Sequence, residues 1–491
     1  MKNSLYFGDN LEILKDLYHK HPEGFIDLIY IDPPFNSKRN YNILFEDIDL
    51  KDTKAQKEAF KDTWSNVTYI ETLNEIKGLD LNLHSFLQNL DKIGISQGAV
   101  SYLTMMAIRI WYMHKLLSKT GSFYLHCDPT MSHYLKILCD LIFSEQNFKN
   151  EIVWSYKRYT AASNRFQRLH DTILFYGKTN DSSFNDIREP YGEKSGIADS
   201  HYKQDDEGKW YRWQKRKDKD PYKIYLSEGR RIGDSWDIPI INASSKERLG
   251  YPTQKPLPLM ERIINASSNE GDLVADFFCG CGTTIAAAQN LNRTWLGVDI
   301  SHLAVKLITK RLIDTHGQEV RKTFELFGFP QDLDSAKMLA TGTESGRFKF
   351  EEWIIEVLLG GVLNQNKNQT GFDGYLTFDA HSDKDVCFIE VKSGGATLPQ
   401  VNHFIQIVEE RKADMGVFVC FKEQVTSGME KTAKLQGHYK EDLFGNNYDK
   451  IQVLTVEDLL DHKGINMPTS NVGTFKSAKK AEQKSKQEGI F

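Results

Sequence analysis

The chain has 491 residues, 40% hydrophobic and 26% charged, which is too long for one ordinary core and too polar for a membrane protein. No window approaches the roughly 18 unbroken apolar residues of a membrane span. A formal charge of -5 gives no global basic surface, so any contact with a polyanion has to be local.

In chain order, apolar runs at 5–7 and 25–31, each soon followed by an aspartate, flank a helix-like stretch at 11–18 and predict a strand-helix-strand unit. The N-terminus reaches Asp9 before any long apolar region, so no secretory signal and a cytoplasmic location are expected. The polar segment 36–97 should hold loops and helices anchored by Phe60, Trp64, Tyr69, Ile70 and Phe86. A helix over 100–117, a buried strand at 122–127, a helix over 131–143 and a strand at 151–154 follow. Further on come helix 257–266, strand 273–278, helix 283–291, strand 294–300 and helix 301–315. This alternation implies an α/β fold with a parallel sheet covered on both faces. The composition turns mixed and polar after 316, so a first domain is expected at 1–316, a linker at 317–345 and a smaller α/β domain at 346–465. The stretch 469–491 reads as a basic, disordered tail. Six scattered cysteines, the closest pair being Cys279 and Cys281 in a glycine-rich turn, predict reduced thiols.

Three places concentrate chemistry. The turn from Asp276 through Phe278, Gly280, Gly282 and Thr283 joins a strand to a helix, where glycines let backbone bend tightly and approach a ligand. A lone G-x-G also fits a plain βα turn. Seventeen residues after Gly282, at the end of the next strand, Asp299 can accept hydrogen bonds from both hydroxyls of a ribose, which points to an adenosine cofactor. Ile285 stands where a dinucleotide fingerprint would have its third glycine, and no phosphate-binding lysine follows.

Directly after the strand ending at Ile31 comes Asp32-Pro33-Pro34-Phe35. Paired prolines fix the backbone, Asp32 and the Pro33 carbonyl supply acceptors for an exocyclic amine, and Phe35 supplies a face for stacking. Such a site needs the base outside the duplex stack. Between 157 and 248, basic residues interleave with Phe166, Trp210, Tyr211, Trp213, Tyr222, Tyr225 and Trp236, a composition that can meet phosphates and bases together.

These motifs resemble the amino-methyltransferases of DNA, and their order resembles the β group that includes type III modification subunits. The resemblance covers residues 4 to 315 and implies a Rossmann-like, seven-stranded domain that uses S-adenosylmethionine on double-stranded DNA. It implies that Asp9 and Asn10 close around the cofactor, and that Thr253, Lys255 and Pro256 line its methionine end. It also implies that Asp32 favours N6 of adenine over N4 of cytosine, and that 156–245 is the target-recognition insertion. Lys157, Arg158, Arg165, Arg212, Lys215 and Arg216 are then candidate phosphate contacts. Cys281 stands where many members have serine.

In the C-terminal part, Gly371-Phe372-Asp373-Gly374 precedes a strand that runs into Glu390-Val391-Lys392. Alternation puts Glu390 and Lys392 on one face, and a hairpin would bring Asp373 beside them. Asp373 and Glu390 are oxygen ligands suited to Mg²⁺, with Lys392 at the reacting centre. The pattern resembles the PD-(D/E)xK nucleases, most closely the Mrr-like endonucleases, and implies a restriction-modification or phage-defence component. Glu352 and Glu356, on the preceding helix, are candidates for a third carboxylate. A non-catalytic C-terminal module, an N4-cytosine product, a second copy of the chain and a separate restriction or translocase subunit stay open as alternatives and partners.

Overall fold

A computed structural model describes residues 2–34, 66–157, 164, 166–189, 202–216, 219–242, 244–245, 247–251, 253–330, 332–341, 344–364, 370–378, 385–440, 446–461 and 463–468. Phe35, Phe60, Trp64, Arg158, Arg165 and the tail 469–491 lie outside the described residues.

The chain opens with β1 (Asn3–Phe7), α1 (Asn10–Lys20) and β2 (Ile26–Ile31). Asp9 caps α1 by accepting from the Leu11 amide, and Leu14 and Leu17 bury the helix. Then come α2 (Asn66–Leu79), α3 (Leu81–Lys92) and α4 (Gln97–Leu116), the last apolar nearly all round and buried accordingly. They lead to β3 (Leu117–Cys127), α5 (Ser132–Phe143), β4 (Phe148–Ser155) and β5 (His170–Gly177).

An excursion follows. It holds a short ladder of β6 (Arg188–Glu189) with β10 (Arg230–Arg231), and a three-stranded sheet of β7 (Lys203–Gln204), β8 (Trp210–Arg216) and β9 (Lys219–Tyr225). The chain returns through β11 (Ser235–Asp237), α6 (Leu257–Ser267), β12 (Leu273–Asp276), α7 (Thr283–Asn290), β13 (Thr294–Asp299), α8 (His302–His316) and β14 (Phe324–Phe327).

The main sheet has the order β11-β4-β5-β3-β2-β12-β13-β1-β14. Its ladders are parallel except the two that β5 makes with β3 and β4. Helices α1, α4 and α5 pack on one face, and α6, α7 and α8 on the other, in two apolar cores. The α/β expectation holds, with nine strands in place of seven, because the short β11 and β14 extend the two edges.

Two segments differ from the sequence reading. The stretch 156–245 is not one insertion: Ile173 to Tyr176 are buried, and β5 lies in the middle of the sheet. Nor is 317–345 a linker. Val320 and Phe324 join the core beside Trp295, and Ala336 and Ala340 of α9 (Leu333–Thr341) are buried in the C-terminal core. Apolar side chains widely spaced among charged ones disguised both halves.

The C-terminal part begins with α10 (Glu344–Glu352), which runs into a π-helical turn at Trp353–Leu358. It continues through β15 (Val362–Leu363), β16 (Gly374–Phe378), β17 (Asp385–Val391), α11 (Leu398–Glu410), β18 (Met415–Cys420) and α12 (Ser427–Lys434). It ends with β19 (His438–Lys440), β20 (Asn447–Asp449), β21 (Ile451–Thr455) and α13 (Val456–Leu460). Its five-stranded sheet runs β15-β16-β17-β18-β21, antiparallel up to β17 and parallel beyond it. All six cysteines are free and buried. Among the described residues no helix is long and apolar enough to cross a membrane.

Candidate active site

Parallel strands deliver their following loops to one edge, and the motif residues gather there. β2 and β12 are neighbours, with Ile29 opposite Ala275, so the Asp32 bend and the Asp276–Gly282 bend leave the sheet side by side. β13 lies on the other flank of β12, and β1 beyond it, with Phe7 opposite Asp299.

Backbone and side-chain bonds stitch these bends together. The Gly8 amide donates to the Asp299 carbonyl (3.0 Å) and the Cys279 amide to that of Val298 (3.1 Å). Asn10 donates Nδ2 to the Phe277 carbonyl at 2.7 Å. Asp299 accepts from the amides of Gly280 and Ser301, each at 2.8 Å. Asp276, 2% exposed, accepts from Thr284 Oγ1 at 2.6 Å and from the Phe278 amide at 2.9 Å.

The two glycines are required by geometry. Gly280 has φ +51° and lies against the Tyr251 ring, while Gly282 has φ +71° and lies so close to Ile308 that a Cβ would come within 2.6 Å of Cγ1. Thr283 begins α7 and its hydroxyl accepts from Arg311 at 3.0 Å.

Asp32 is half-buried and its Oδ2 is hydrogen-bonded to Lys255 Nζ. Pro33 is buried, Pro34 half-buried, and Phe35 lies outside the described residues. Pro256 caps α6, and Gln254 ties the segment down through the Leu249 amide and the Glu247 carbonyl. Thr253 is exposed and holds a left-handed φ of +62°. Burial raises the carboxyl of Asp276 to about 7 against the pull of its hydrogen bonds, with the charges of Asp32 and Asp299 adding to the rise. Burial likewise raises Asp299 to about 6, opposed by its two amide donors.

Several residues at this edge escaped the sequence reading. Arg109, 4% exposed on α4, donates to Asp9 (2.9 Å), to Asn10 Oδ1 (2.5 Å) and to the Met105 carbonyl. An arginine in the middle of an otherwise apolar helix was the available signal. Tyr30, His126 and Asp171 form a hydrogen-bonded chain behind the Asp32 bend, and only a charged residue opening the apolar run 170–177 hinted at it.

In the C-terminal sheet, Asp373, Glu390 and Lys392 come together. The Asp373 amide donates to the Ile389 carbonyl, its carboxylate accepts from the Val391 amide at 2.9 Å, and Lys392 Nζ is bonded to Glu390. Burial, then the neighbouring Asp373, pushes the Glu390 carboxyl up, with Lys392 opposing. Glu356 is bonded to the Leu363 amide and raised to about 7 by burial. Among the described residues no group of three or more His, Cys, Asp or Glu side chains is arranged to hold a metal.

A mostly parallel sheet with glycine bends, buried carboxylates and an Asp-Pro-Pro loop at its carboxyl edge defines a class, the nucleotide-cofactor α/β enzymes. The DNA methylase model for N6 and N4 enzymes matches residues 26–310, more than half of the chain, and the chain belongs to that family of DNA methyltransferases. Residues 349–461 match the family described as NACHT-associated inactive Restriction Endonuclease 1. Among similar proteins, type II methyltransferase M.EcaI of Enterobacter cloacae is 32% identical over 263 residues, 43% of this chain and 57% of that enzyme. The chain therefore spans little more than half the length of that relative. DNA adenine methyltransferase YhdJ of Escherichia coli strain K12 is 26% identical over 355 residues, 71% of this chain and 92% of the relative. The Mod subunit of the type III enzyme StyLTI of Salmonella typhimurium is 24% identical, over 59% of this chain and 50% of its own. Among solved structures, the M1.HpyAVI-SAM complex aligns with a TM-score of 0.34 at 19% identity, over 63% of this chain and 98% of that one.

Proposed function

We propose that the chain transfers a methyl group from S-adenosylmethionine to N6 of an adenine turned out of duplex DNA. The observation that carries this reading is the pairing of β2 with β12, which brings the acceptor bend at Asp32 beside the glycine bend at Gly280 and Gly282. The donor supplies an electrophilic methyl carbon on a sulfonium. Asp299 would take the ribose hydroxyls, the Gly280–Gly282 bend would pass close beneath the adenosine, and Asp9, Asn10, Asp276, Phe278 and Thr283 would hold that bend in shape. Thr253, Lys255 and Pro256 would line the other end.

Asp32 and the Pro33 carbonyl would hold the amine's hydrogens and aim its lone pair at the methyl carbon. Positive charge developing on that nitrogen during transfer would be stabilised by the Asp32 carboxylate, which could also accept the released proton. Lys255, bonded to the same carboxylate, would fix its orientation toward the incoming amine. Adenine is favoured over cytosine by the aspartate at position 32, and the adenine enzyme of Escherichia coli among its relatives supports that choice.

Labelled donor and duplex DNA test the proposal, with digestion of the product to nucleosides. Label in N6-methyladenine, lost by at least about 100-fold in Asp32→Ala, is the expected outcome. Label in N4-methylcytosine would overturn the choice of base, and transfer undiminished by Asp32→Ala would overturn the site.

A second reading rests on the meeting of Asp373, Glu390 and Lys392. Two neighbouring carboxylates are oxygen ligands of the kind that suits Mg²⁺, which would supply charge neutralisation on a phosphodiester, and Lys392 would orient the attacking water. The matched family is described as inactive, yet this chain retains all three side chains. Plasmid cleavage in Mg²⁺ that disappears in Lys392→Ala supports nuclease action. DNA binding without cleavage makes this part a holding module.

A further inference from the structure

Behind the Asp32 bend runs a buried polar chain that the proposed chemistry does not use. Tyr30, 2% exposed, is the second-to-last residue of β2 and precedes Asp32 by two residues. Its hydroxyl lies 2.9 Å from Nδ1 of His126 on β3. His126 is fully buried, and its Nε2 lies 3.2 Å from Asp171 Oδ2 on β5. The other oxygen of Asp171 accepts from the Tyr156 hydroxyl, just past β4. The Trp154 ring meets the imidazole edge-on, with centroids 5.5 Å apart. One run of side chains thus crosses four adjacent strands, β2, β3, β5 and β4, at the edge that carries the candidate site.

The direction of each bond follows from what each group can do. Asp171 has a carboxyl that burial alone would raise, but the His126 bond and the Lys255 charge outweigh burial and hold it below the usual range, so it accepts only. Nε2 of His126 therefore carries a hydrogen, and in the neutral imidazole Nδ1 accepts from Tyr30. Tyr30 stays protonated because burial and the nearby Asp32 both oppose its phenolate. The order matches the acid-base logic of a hydroxyl, an imidazole and an orienting carboxylate, with a phenol in first place.

We infer that His126, oriented by Asp171, is a positioning residue for methyl transfer: it locks Tyr30 and hence the end of β2, which sets where Asp32 and the Pro33 carbonyl present their acceptors. This rests on the methyltransferase reading above. Lys255 completes the circuit, since it is bonded to Asp32 while its charge also acts on Asp171. None of the three relay residues is required to touch the reacting atoms.

Asp171→Asn is the discriminating variant. It keeps the size of the side chain, but its amide can donate to Nε2, which moves the imidazole hydrogen to Nδ1 and turns the Tyr30 hydroxyl away. The expected result is a fall in kcat of about 10- to 100-fold with the KM for the donor within about twofold and an unchanged melting temperature. Tyr30→Phe should cost a similar factor, and adding Asp171→Asn to it should cost less than about twofold more, because both act through one chain. Multiplying effects, or losses that follow unfolding, would overturn the relay.

Imidazole ¹⁵N spectra, with His126→Asn to assign the resonance, read the same claim without activity. An Nε2-H ring that becomes Nδ1-H in Asp171→Asn supports it, and an unaltered tautomer refutes it. Wild-type protein that transfers no methyl group would sink the methyltransferase reading instead, leaving the spectra to decide the relay.

Discussion

Asp299 accepts two backbone amides and still stands at the mouth of the site, with its carboxyl raised to about 6 by burial. A pKa raised above the unfolded value of about 4 means that folding favours the protonated form, so this contribution to stability is present below pH 4 and is lost as pH rises through 6. A ligand offering hydroxyl donors needs the carboxylate and must expel that proton. Affinity for S-adenosylmethionine should therefore strengthen from pH 5 to 6.5 by up to about tenfold per unit and level off above 7. Calorimetric titration checks this, with Asp299→Asn expected to bind weakly and with a flatter profile. Asp276 titrates nearby at about 7, so Asp276→Asn separates the two contributions. Arg109 allows a second prediction. Its removal leaves Asp9 and Asn10 without their buried donor, and because the Asp9 side chain is partly exposed, Arg109→Ala should cost about 1 to 3 kcal/mol in denaturant unfolding, of which Arg109→Lys, which lacks the fork, should recover only part. Asp32, Gly280, Gly282 and Asp299 were legible because their placement is dictated by local backbone. Tyr30, His126 and Asp171 were not, because their partners stand 96 and 45 residues apart along the chain and only the sheet order joins them.

At the scale of elements, the strands and helices flanking the motifs follow the hydrophobic periodicity closely, since each buries one face or both against a neighbouring layer. β5 escaped because a continuous apolar run carries no alternation, and it sits inside an aromatic-rich stretch that suggested a surface insertion. Its antiparallel place between β3 and β4 is a property of topology that the run itself does not encode. The turn before α7 gives a sharper test. Gly282→Ala would place a Cβ 2.6 Å from Ile308 Cγ1 at a φ of +71°, so steric overlap and backbone strain both apply. A loss of about 2 kcal/mol or more is expected. Adding Ile308→Ala should not restore the wild-type stability, because it relieves the overlap but leaves the strain and opens a cavity. Full recovery in the double variant, measured by urea unfolding, would show that φ is unimportant there.

Over the whole molecule, the described residues divide between the cores around the nine-stranded sheet and those around the five-stranded sheet, and Phe329 packs against both. Helix α8 belongs to both neighbourhoods. Its Ile308 and Arg311 meet the Gly282 turn, while Lys306, whose ammonium burial disfavours, lies within the field of Glu356 on the π-helical turn. Separate cores favour separate unfolding, whereas a shared helix favours coupling, and calorimetry of the full chain distinguishes them. Two transitions are expected, because each sheet buries its own apolar layer and, among the described residues, α8 lends no apolar side chain to the second. A ligand that binds only the first native core stabilises it by about 2.7 kcal/mol at a concentration of 100 Kd. S-adenosylmethionine should accordingly raise the transition of residues 2–330 and leave the other within a degree or so. Equal shifts in both would mean that α8 transmits the occupancy of the cofactor turn into the C-terminal sheet, so that the two cores unfold as one unit; in that case Glu356→Gln should uncouple them.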